Sequence, residues 1–157
     1  MKFSLRIFLI CLAIPLIVGA AAGLITRGSM ETFGMLEQPP LSPPGWLFPV
    51  VWTVLYALMG IASYFVLMSN ADQKQIRAAL GVYALQLAFN FVWPILFFNA
   101  GAYFFSFAWL LVLWGLIIVT TVLFYRISKP AGYLMIPYLL WVTFAAYLNL
   151  GVAILNT

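Results

Sequence analysis

The stretch between Arg77 and Arg126 constrains the fold most, because it contains no Asp, Glu, Lys, Arg or His. A single helix over this stretch would be roughly 70 Å long at about 1.5 Å per residue, more than twice a hydrocarbon core of about 30 Å. The chain must therefore turn back on itself. Asn99 and Gly101 interrupt the apolar run with turn-forming residues. We predict two membrane spans here, separated by this turn.

Three further stretches without charged residues each predict one crossing, and they cover residues 7–26, 38–71 and 130–157. In the second, four prolines prevent regular helix before about Trp46, so we expect residues 27–45 to form a lid-like loop. The sequence thus predicts an all-α integral membrane protein: one membrane domain over 1–157, a bundle of five transmembrane helices. Their expected bounds are about 5–26, 46–68, 79–98, 103–125 and 132–154.

The composition and the distribution of basic residues support this interpretation. At 66% hydrophobic and 6% charged residues, the chain lacks the polar surface of a soluble domain. Five crossings would place Arg27 at one side of the membrane and the other basic residues at the opposite side, namely Lys2, Arg6, Lys74, Arg77, Arg126 and Lys129. The positive-inside rule then predicts a cytoplasmic amino terminus, an external carboxyl terminus and, as the membrane, a bacterial cytoplasmic membrane.

The first apolar stretch has two interpretations. Lys2 and Arg6, followed by apolar residues and then Ala20-Ala21-Ala22, also fit a cleavable secretory signal. A retained first helix is the alternative, because the stretch is longer than the usual apolar region of a signal and its removal would spoil the distribution of charge.

Several classes of function are disfavoured by residue types. The chain has no His, its single cysteine, Cys11, lies within the first span, and its acids, Glu31, Glu37 and Asp72, lie in predicted loops. We therefore expect no metal site and no conventional acid–base or thiol–imidazole catalysis, and a proton- or sodium-coupled carrier is disfavoured. Basic residues form no cluster with interleaved aromatics, so we expect no nucleic-acid partner.

Aromatic and amide side chains recur at helical spacing within the predicted spans. Trp52 and Tyr56 share one face of the second span, and Gln86, Asn90 and Trp93 share one face of the third. The fifth span carries a further stripe at such spacing, formed by Tyr138, Trp141, Ala145, Leu148 and Asn149. Because an unpaired amide in lipid is costly, the amides should face the bundle interior. These residues predict a pocket for a flat, largely apolar ligand; interhelical hydrogen bonding and packing are the alternative.

Small residues predict close helix contacts. Ala84 and Ala88 lie opposite the Gln86 and Asn90 face, and Gly19 and Gly23 form a GxxxG pair on the first span. Such pairs allow two helices to approach closely. Either pair could form an intramolecular contact, and we predict Ala84 and Ala88 as a homodimer interface.

Three motifs of the sequence are distinctive. The first is LEQPPLSPPGWLFPVVWTVLYALMG at residues 36–60. The second is YALQLAFNFVW at residues 83–93, and the third is PYLLWVTFAAYLN at residues 137–149. These motifs resemble the translocator protein family, whose members are also called tryptophan-rich sensory proteins or peripheral-type benzodiazepine receptors. The first and fourth spans match this family mainly in length and hydropathy.

The resemblance implies a five-helix, usually dimeric bundle that binds porphyrins such as protoporphyrin IX and, in many members, sterols and drugs. No cofactor is required, and porphyrin is expected as the ligand. The family's ligand positions correspond to Trp52, Tyr56, Asn90, Trp141 and Ala145, and also to Trp93 and Leu148. Some relatives are reported to degrade bound porphyrin in light, with tryptophans in the roles that Trp52 and Trp141 would fill here.

The chain departs from the family pattern at two places. Gln38-Pro39-Pro40-Leu41 replaces the common Lys-Pro-x-Trp of the loop, so a cation and an indole are missing. Leu150 occupies the tyrosine position of the animal cholesterol motif, and no basic residue follows Lys129. We therefore expect no sterol recognition by that motif. The main hypothesis is a porphyrin-binding protein. The alternatives are a carrier of tetrapyrroles or other amphipathic small molecules, a stress-sensing regulator and a purely structural bundle.

Overall fold

A computed structural model describes residues 2–157, and all regular structure within this range is helical. The helices are α1 Leu5–Thr26, α2 Met30–Gly34, α3 Leu47–Leu67, α4 Gln73–Pro94, α5 Tyr103–Ile127 and α6 Lys129–Leu155. These helices belong to 5 segments that are long and apolar enough to cross a membrane, and the first of them, Leu5–Gly34, includes α2. The predicted all-α fold with five membrane spans is confirmed.

Local sequence signals account for the helix starts. The Ser4 hydroxyl accepts a hydrogen bond from the Ile7 amide at 3.4 Å, and the Asp72 carboxylate accepts one from the Lys74 amide at 3.4 Å, so each caps a helix. The helix α4 begins at Gln73 and α6 at Lys129, whereas absence of charge predicted starts near 79 and 132. The two predicted spans were too short, because basic side chains in the first turns of a helix can extend their charged groups towards water.

The segment 27–45 is not a single loop. Residues Arg27–Ser29 form a 3₁₀ turn that leads into α2, and only residues 35–46 lack helix. We call residues 35–46 the lid. Leu41 has a φ of 69°, a left-handed conformation that is uncommon outside glycine. As expected, the segment that contains the four prolines is not helical. The residues before it, in contrast, continue the first span.

The five spans form a closed ring. The helix α1 packs between α3 and α4, α3 also packs against α6, and α5 lies between α4 and α6. Gly60 permits close contact between α3 and α1, since a Cβ there would lie 2.7 Å from Leu12 Cα. The side chains inside this ring form the main core.

The end of α4 widens into a π-helical turn, Ile95–Asn99, directly after Pro94. The Ala100 amide donates to the Ile95 carbonyl at 3.0 Å, closing a wider turn than an α-helix has. Such turns occur frequently at functional sites. Here it brings Phe97 and Phe98 to the end of the bundle that carries the lid.

Candidate functional site

A cavity of about 520 Å³ lies beneath the lid, within the usual size range of small-molecule sites. Its walls come from α2, the lid, the start of α3, the end of α4 with its π turn, and the second half of α6. The main aromatic and aliphatic wall residues are Phe33, Phe48, Trp93, Phe97, Phe98, Ala145, Leu148 and Val152. Every residue lining the cavity is uncharged. The cavity is thus suited to an apolar, aromatic ligand.

Trp93 is held in place by the protein's own polar groups. Its indole Nε1 donates to Asn149 Oδ1 at 2.9 Å, and Asn149 Nδ2 donates to the Tyr103 carbonyl at 2.9 Å. The Ser106 hydroxyl also donates to Asn149 Oδ1, at 3.2 Å. The Trp93 ring stacks on Phe97 with centroids 5.3 Å apart and planes at 21°. Trp93 therefore forms a rigid aromatic wall whose polar edge is already occupied.

The short helix α2 forms part of the cavity wall. Phe33 meets Phe97 and Phe98 edge-on, with centroids 5.6 and 5.0 Å apart. Ser29 Oγ donates to Asn99 Oδ1 at 2.7 Å, joining the turn before α2 to the π turn. This arrangement places an aromatic side chain from the predicted loop in the cavity wall.

The lid is attached to α6 at several points. Tyr147 Oη donates to the Pro40 carbonyl at 2.6 Å. The Glu37 amide donates to Asn156 Oδ1 at 3.0 Å, and Asn156 Nδ2 donates to the Glu37 carbonyl at 2.9 Å. Pro39 packs so closely on Gly151 that a Cβ there would lie 2.5 Å from Pro39 Cβ. In this structure the lid is therefore anchored to the end of the chain that carries Tyr147, Gly151 and Asn156.

A buried polar network joins α3, α4 and α6. Tyr56 Oη donates to Asn90 Oδ1 at 2.7 Å, Asn90 Nδ2 donates to Tyr138 Oη at 2.7 Å, and Tyr138 Oη donates to Gln86 Oε1 at 2.6 Å. Gln86 Nε2 points to the Met59 sulfur at 3.9 Å. The interior orientation predicted for the amides is confirmed. Their polar atoms bond to one another, so the network fastens three helices together.

Trp52 and Trp141 lie beside these two groups. Trp52 stacks on Tyr56 at 5.6 Å and meets Tyr138 edge-on at 6.2 Å. Trp141 meets Phe48, a cavity residue, edge-on at 5.9 Å. Its indole Nε1 is buried and has no hydrogen-bond partner among the described residues. Trp52 therefore packs on the network, and Trp141 lies behind a cavity wall.

The structure thus divides the predicted ligand residues into adjoining groups. Trp93, Ala145 and Leu148 line the cavity. The polar network is formed by Tyr56, Gln86, Asn90 and Tyr138. Trp52 packs next to this network, and Trp141 lies next to the cavity.

Sequence reasoning did not select Phe33, Phe48 or Phe98 as site residues. Phe48 precedes Trp52 by four residues and so lies on the same helical face, a signal that could have identified it. Phe33 had no such signal, because it lies in a segment that was predicted to be a loop. Phe98 reaches the cavity through the π turn.

The predicted dimer residues Ala84 and Ala88 are exposed on the outer face of α4. Gly19, by contrast, contacts the Tyr56 ring within the bundle, which assigns it to an intramolecular contact. Among residues 2–157, no three His, Cys, Asp or Glu side chains come together in a way that could hold a metal ion.

Comparison with known proteins identifies the family. Residues 11–155 match the TspO/MBR family. The chain is 36% identical over 148 residues to tryptophan-rich protein TspO of Chlorobaculum tepidum, covering 94% of each chain. It is 32% identical over 153 residues to protein CrtK of Rhodobacter capsulatus, covering 98% of this chain and 94% of that one. It is also 38% identical over 122 residues to the human translocator protein, covering 76% and 72%. This chain, an integral membrane protein with five membrane-spanning segments, therefore belongs to the TspO/MBR family.

Proposed function

We propose that the protein binds a flat hydrophobic ligand of the porphyrin type, such as protoporphyrin IX, in the cavity beneath the lid. The cavity itself is the observation that carries this proposal, because its walls are uncharged, largely apolar and rich in aromatic side chains. The family resemblance supports a porphyrin as the ligand. We further propose a bacterial cytoplasmic membrane, with the cavity at the external end.

The uncharged wall determines how such a ligand would lie. Burying a carboxylate without a partner is costly, so the carboxylates of a porphyrin would point out past the lid, near Gln38. The macrocycle would pack on Trp93 and Phe48, with Trp141 behind Phe48. Because Tyr147 and Asn156 hold the lid, entry of a ligand past the lid would require these hydrogen bonds to open.

A variant that fills the cavity tests this placement. Ala145 is a cavity residue, and Ala145→Phe would put a ring where the ligand should lie. The matched control is Ala108→Phe, which adds the same ring at an exposed position on α5. Protoporphyrin IX is titrated into purified protein in detergent, and quenching of tryptophan fluorescence reports binding.

We expect Ala145→Phe to weaken binding by roughly tenfold or more, as overpacking costs about 1–3 kcal/mol. Ala108→Phe should bind like the unaltered protein. Equal affinity in all three proteins would place the ligand elsewhere. A helical circular dichroism spectrum like that of the unaltered protein ensures that lost binding does not reflect misfolding.

Light-dependent degradation of the bound porphyrin is a second candidate, favoured by one indole in the cavity wall and another, Trp141, behind it. Illumination of the complex should then reduce porphyrin absorbance faster than in the Trp141→Phe variant at equal occupancy.

Movement of tetrapyrroles across the membrane would use the same cavity, and flux into liposomes containing the protein would reveal it.

We also propose that the protein forms a homodimer through the outer face of α4. Ala84 and Ala88 are exposed there, and no neighbouring atom lies within 4 Å of the position that a Cβ of Gly81 would occupy. A surface of small residues allows two copies of a helix to approach closely within lipid.

A further inference from the structure

A second groove lies between α5 and α6, on the outer surface of the bundle. Only Ser128 separates these helices, and Gly132 packs so tightly on α5 that a Cβ there would lie 2.7 Å from Tyr125 Cα. From this close contact the groove extends with a volume of about 470 Å³. Besides Gly132, it is lined by Thr121, Val122, Tyr125, Arg126, Tyr133 and Ile136.

The groove is separate from the cavity beneath the lid. On α6 the groove reaches Ile136, whereas the cavity begins at Ala145. At about 1.5 Å per residue these positions lie roughly 13 Å apart along the helix axis. The two sites are therefore at opposite ends of the bundle, and the groove has no part in the proposed porphyrin site.

The lining of the groove is apolar at one end and basic at the other. Val122 and Ile136 are 43% and 40% exposed on the outer surface, where a membrane protein meets acyl chains. Arg126 lines the opposite end, and Lys129 is exposed at the start of α6. Tyr125 and Tyr133 meet edge-on between these ends, with centroids 5.6 Å apart. Aromatic and basic residues in this order are typical of the boundary between acyl chains and headgroups.

We propose that this groove is a binding site for one anionic phospholipid. Arg126, with Lys129 nearby, would bind the phosphate, and the upper part of an acyl chain would lie along Val122 and Ile136. From Thr121 to Arg126 the groove spans roughly 8 Å of helix axis, enough for the glycerol region and the start of one chain.

Charge complementarity favours an anionic lipid over a neutral one or a sterol. Six of the seven basic residues are predicted at this end of the bundle, which the positive-inside rule assigns to the cytoplasmic leaflet with its anionic lipids. Asp72, the one acid predicted at this end, caps α4 by accepting from the Lys74 amide at 3.4 Å. The Arg126 guanidinium in the groove and the exposed Lys129 ammonium at the start of α6 therefore suit a phosphodiester.

Native mass spectrometry of the full chain released from detergent micelles tests this site. Phosphatidylglycerol and phosphatidylcholine with identical acyl chains are added in equal amounts, and the lipid retained per protein is counted. We expect one retained phosphatidylglycerol and much less phosphatidylcholine. Arg126→Gln should reduce this retention by roughly tenfold, because a charge-assisted hydrogen bond is lost.

The matched control is Arg77→Gln, which removes the same charge from an exposed position on α4. It should retain the lipid, so equal loss in both variants would show general surface electrostatics and overturn the proposal. A second variant, Ile136→Trp, should block the apolar end and also reduce retention. Unaltered retention in this variant would contradict the proposed position of the acyl chain.

Two competitors, a soluble phosphate and a sterol, test whether the bound molecule is a phospholipid. Glycerol 1-phosphate, which lacks acyl chains, should not displace phosphatidylglycerol, because the groove binds headgroup and chain together. Displacement by this soluble phosphate or by cholesterol at equal concentration would overturn the assignment to an anionic phospholipid. Unaltered protoporphyrin IX binding by Arg126→Gln would show that the variant is folded.

Discussion

The hydroxyl of Tyr138 is the centre of the buried polar network, so Tyr138→Phe is the sharpest test of what that network does. The hydroxyl accepts from Asn90 Nδ2 at 2.7 Å and donates to Gln86 Oε1 at 2.6 Å. Its removal leaves two amide groups without these partners in the middle of the bundle. Tyr56→Phe removes only the bond to Asn90 Oδ1, at 2.7 Å.

These bonds allow an estimate of the loss in stability. Interhelical hydrogen bonds in membrane proteins contribute about 0.6 kcal/mol on average and up to about 1.7 kcal/mol. A buried partner left unsatisfied can cost about 1–3 kcal/mol. We therefore expect Tyr138→Phe to lower the free energy of unfolding by about 1–4 kcal/mol and Tyr56→Phe by about half as much. The control Tyr133→Phe, at a residue 58% exposed, should change it by less than about 0.5 kcal/mol.

Titration of the detergent-solubilised protein with dodecyl sulfate, followed by circular dichroism, measures these differences. Because the hydroxyl of Tyr138 bonds to the protein, Tyr138→Phe should leave protoporphyrin affinity within about threefold of the unaltered protein. If Tyr138→Phe were as stable as Tyr133→Phe, the network would not contribute to stability and the reasoning would be refuted. So would a protein of unaltered stability that binds porphyrin much more weakly, because the hydroxyl would then serve the ligand.

Three other predictions test the close helix contact, the lid and the dimer. Gly60→Ala should lower the dodecyl sulfate midpoint, since the new Cβ meets the α1 backbone, whereas Gly115→Ala has open space and should be neutral or slightly stabilising; equal effects would contradict this. Tyr147→Phe should speed porphyrin release about 2–10-fold in stopped-flow experiments, because one lid bond is lost, and an unchanged rate would contradict an anchored lid. Ala88→Leu should reduce cross-linked dimer in membranes relative to Ala108→Leu, and equal cross-linking would place the interface elsewhere.

The sequence predicted part of the site because helical spacing is a local property. Gln86 and Asn90 share a face of α4, so their burial followed from the cost of an amide in lipid. Spacing within one helix does not say which neighbour receives a hydrogen bond. The pairing of Asn90 with Tyr56 and Tyr138 depends on the packing of α3 and α6 against α4.

The sequence alone determined the number of membrane spans, their approximate bounds and the family. The spans follow from the length of the apolar segments, because each span in lipid must form its backbone hydrogen bonds within itself. The family follows from local motifs. Only the tertiary structure decided which predicted residues line the cavity and which bond to one another. Phe33, on α2, and Phe98, in the π turn, both line the cavity. Trp141 packs against Phe48, which also lines it. These positions result from contacts between segments distant in the chain, which no local pattern encodes.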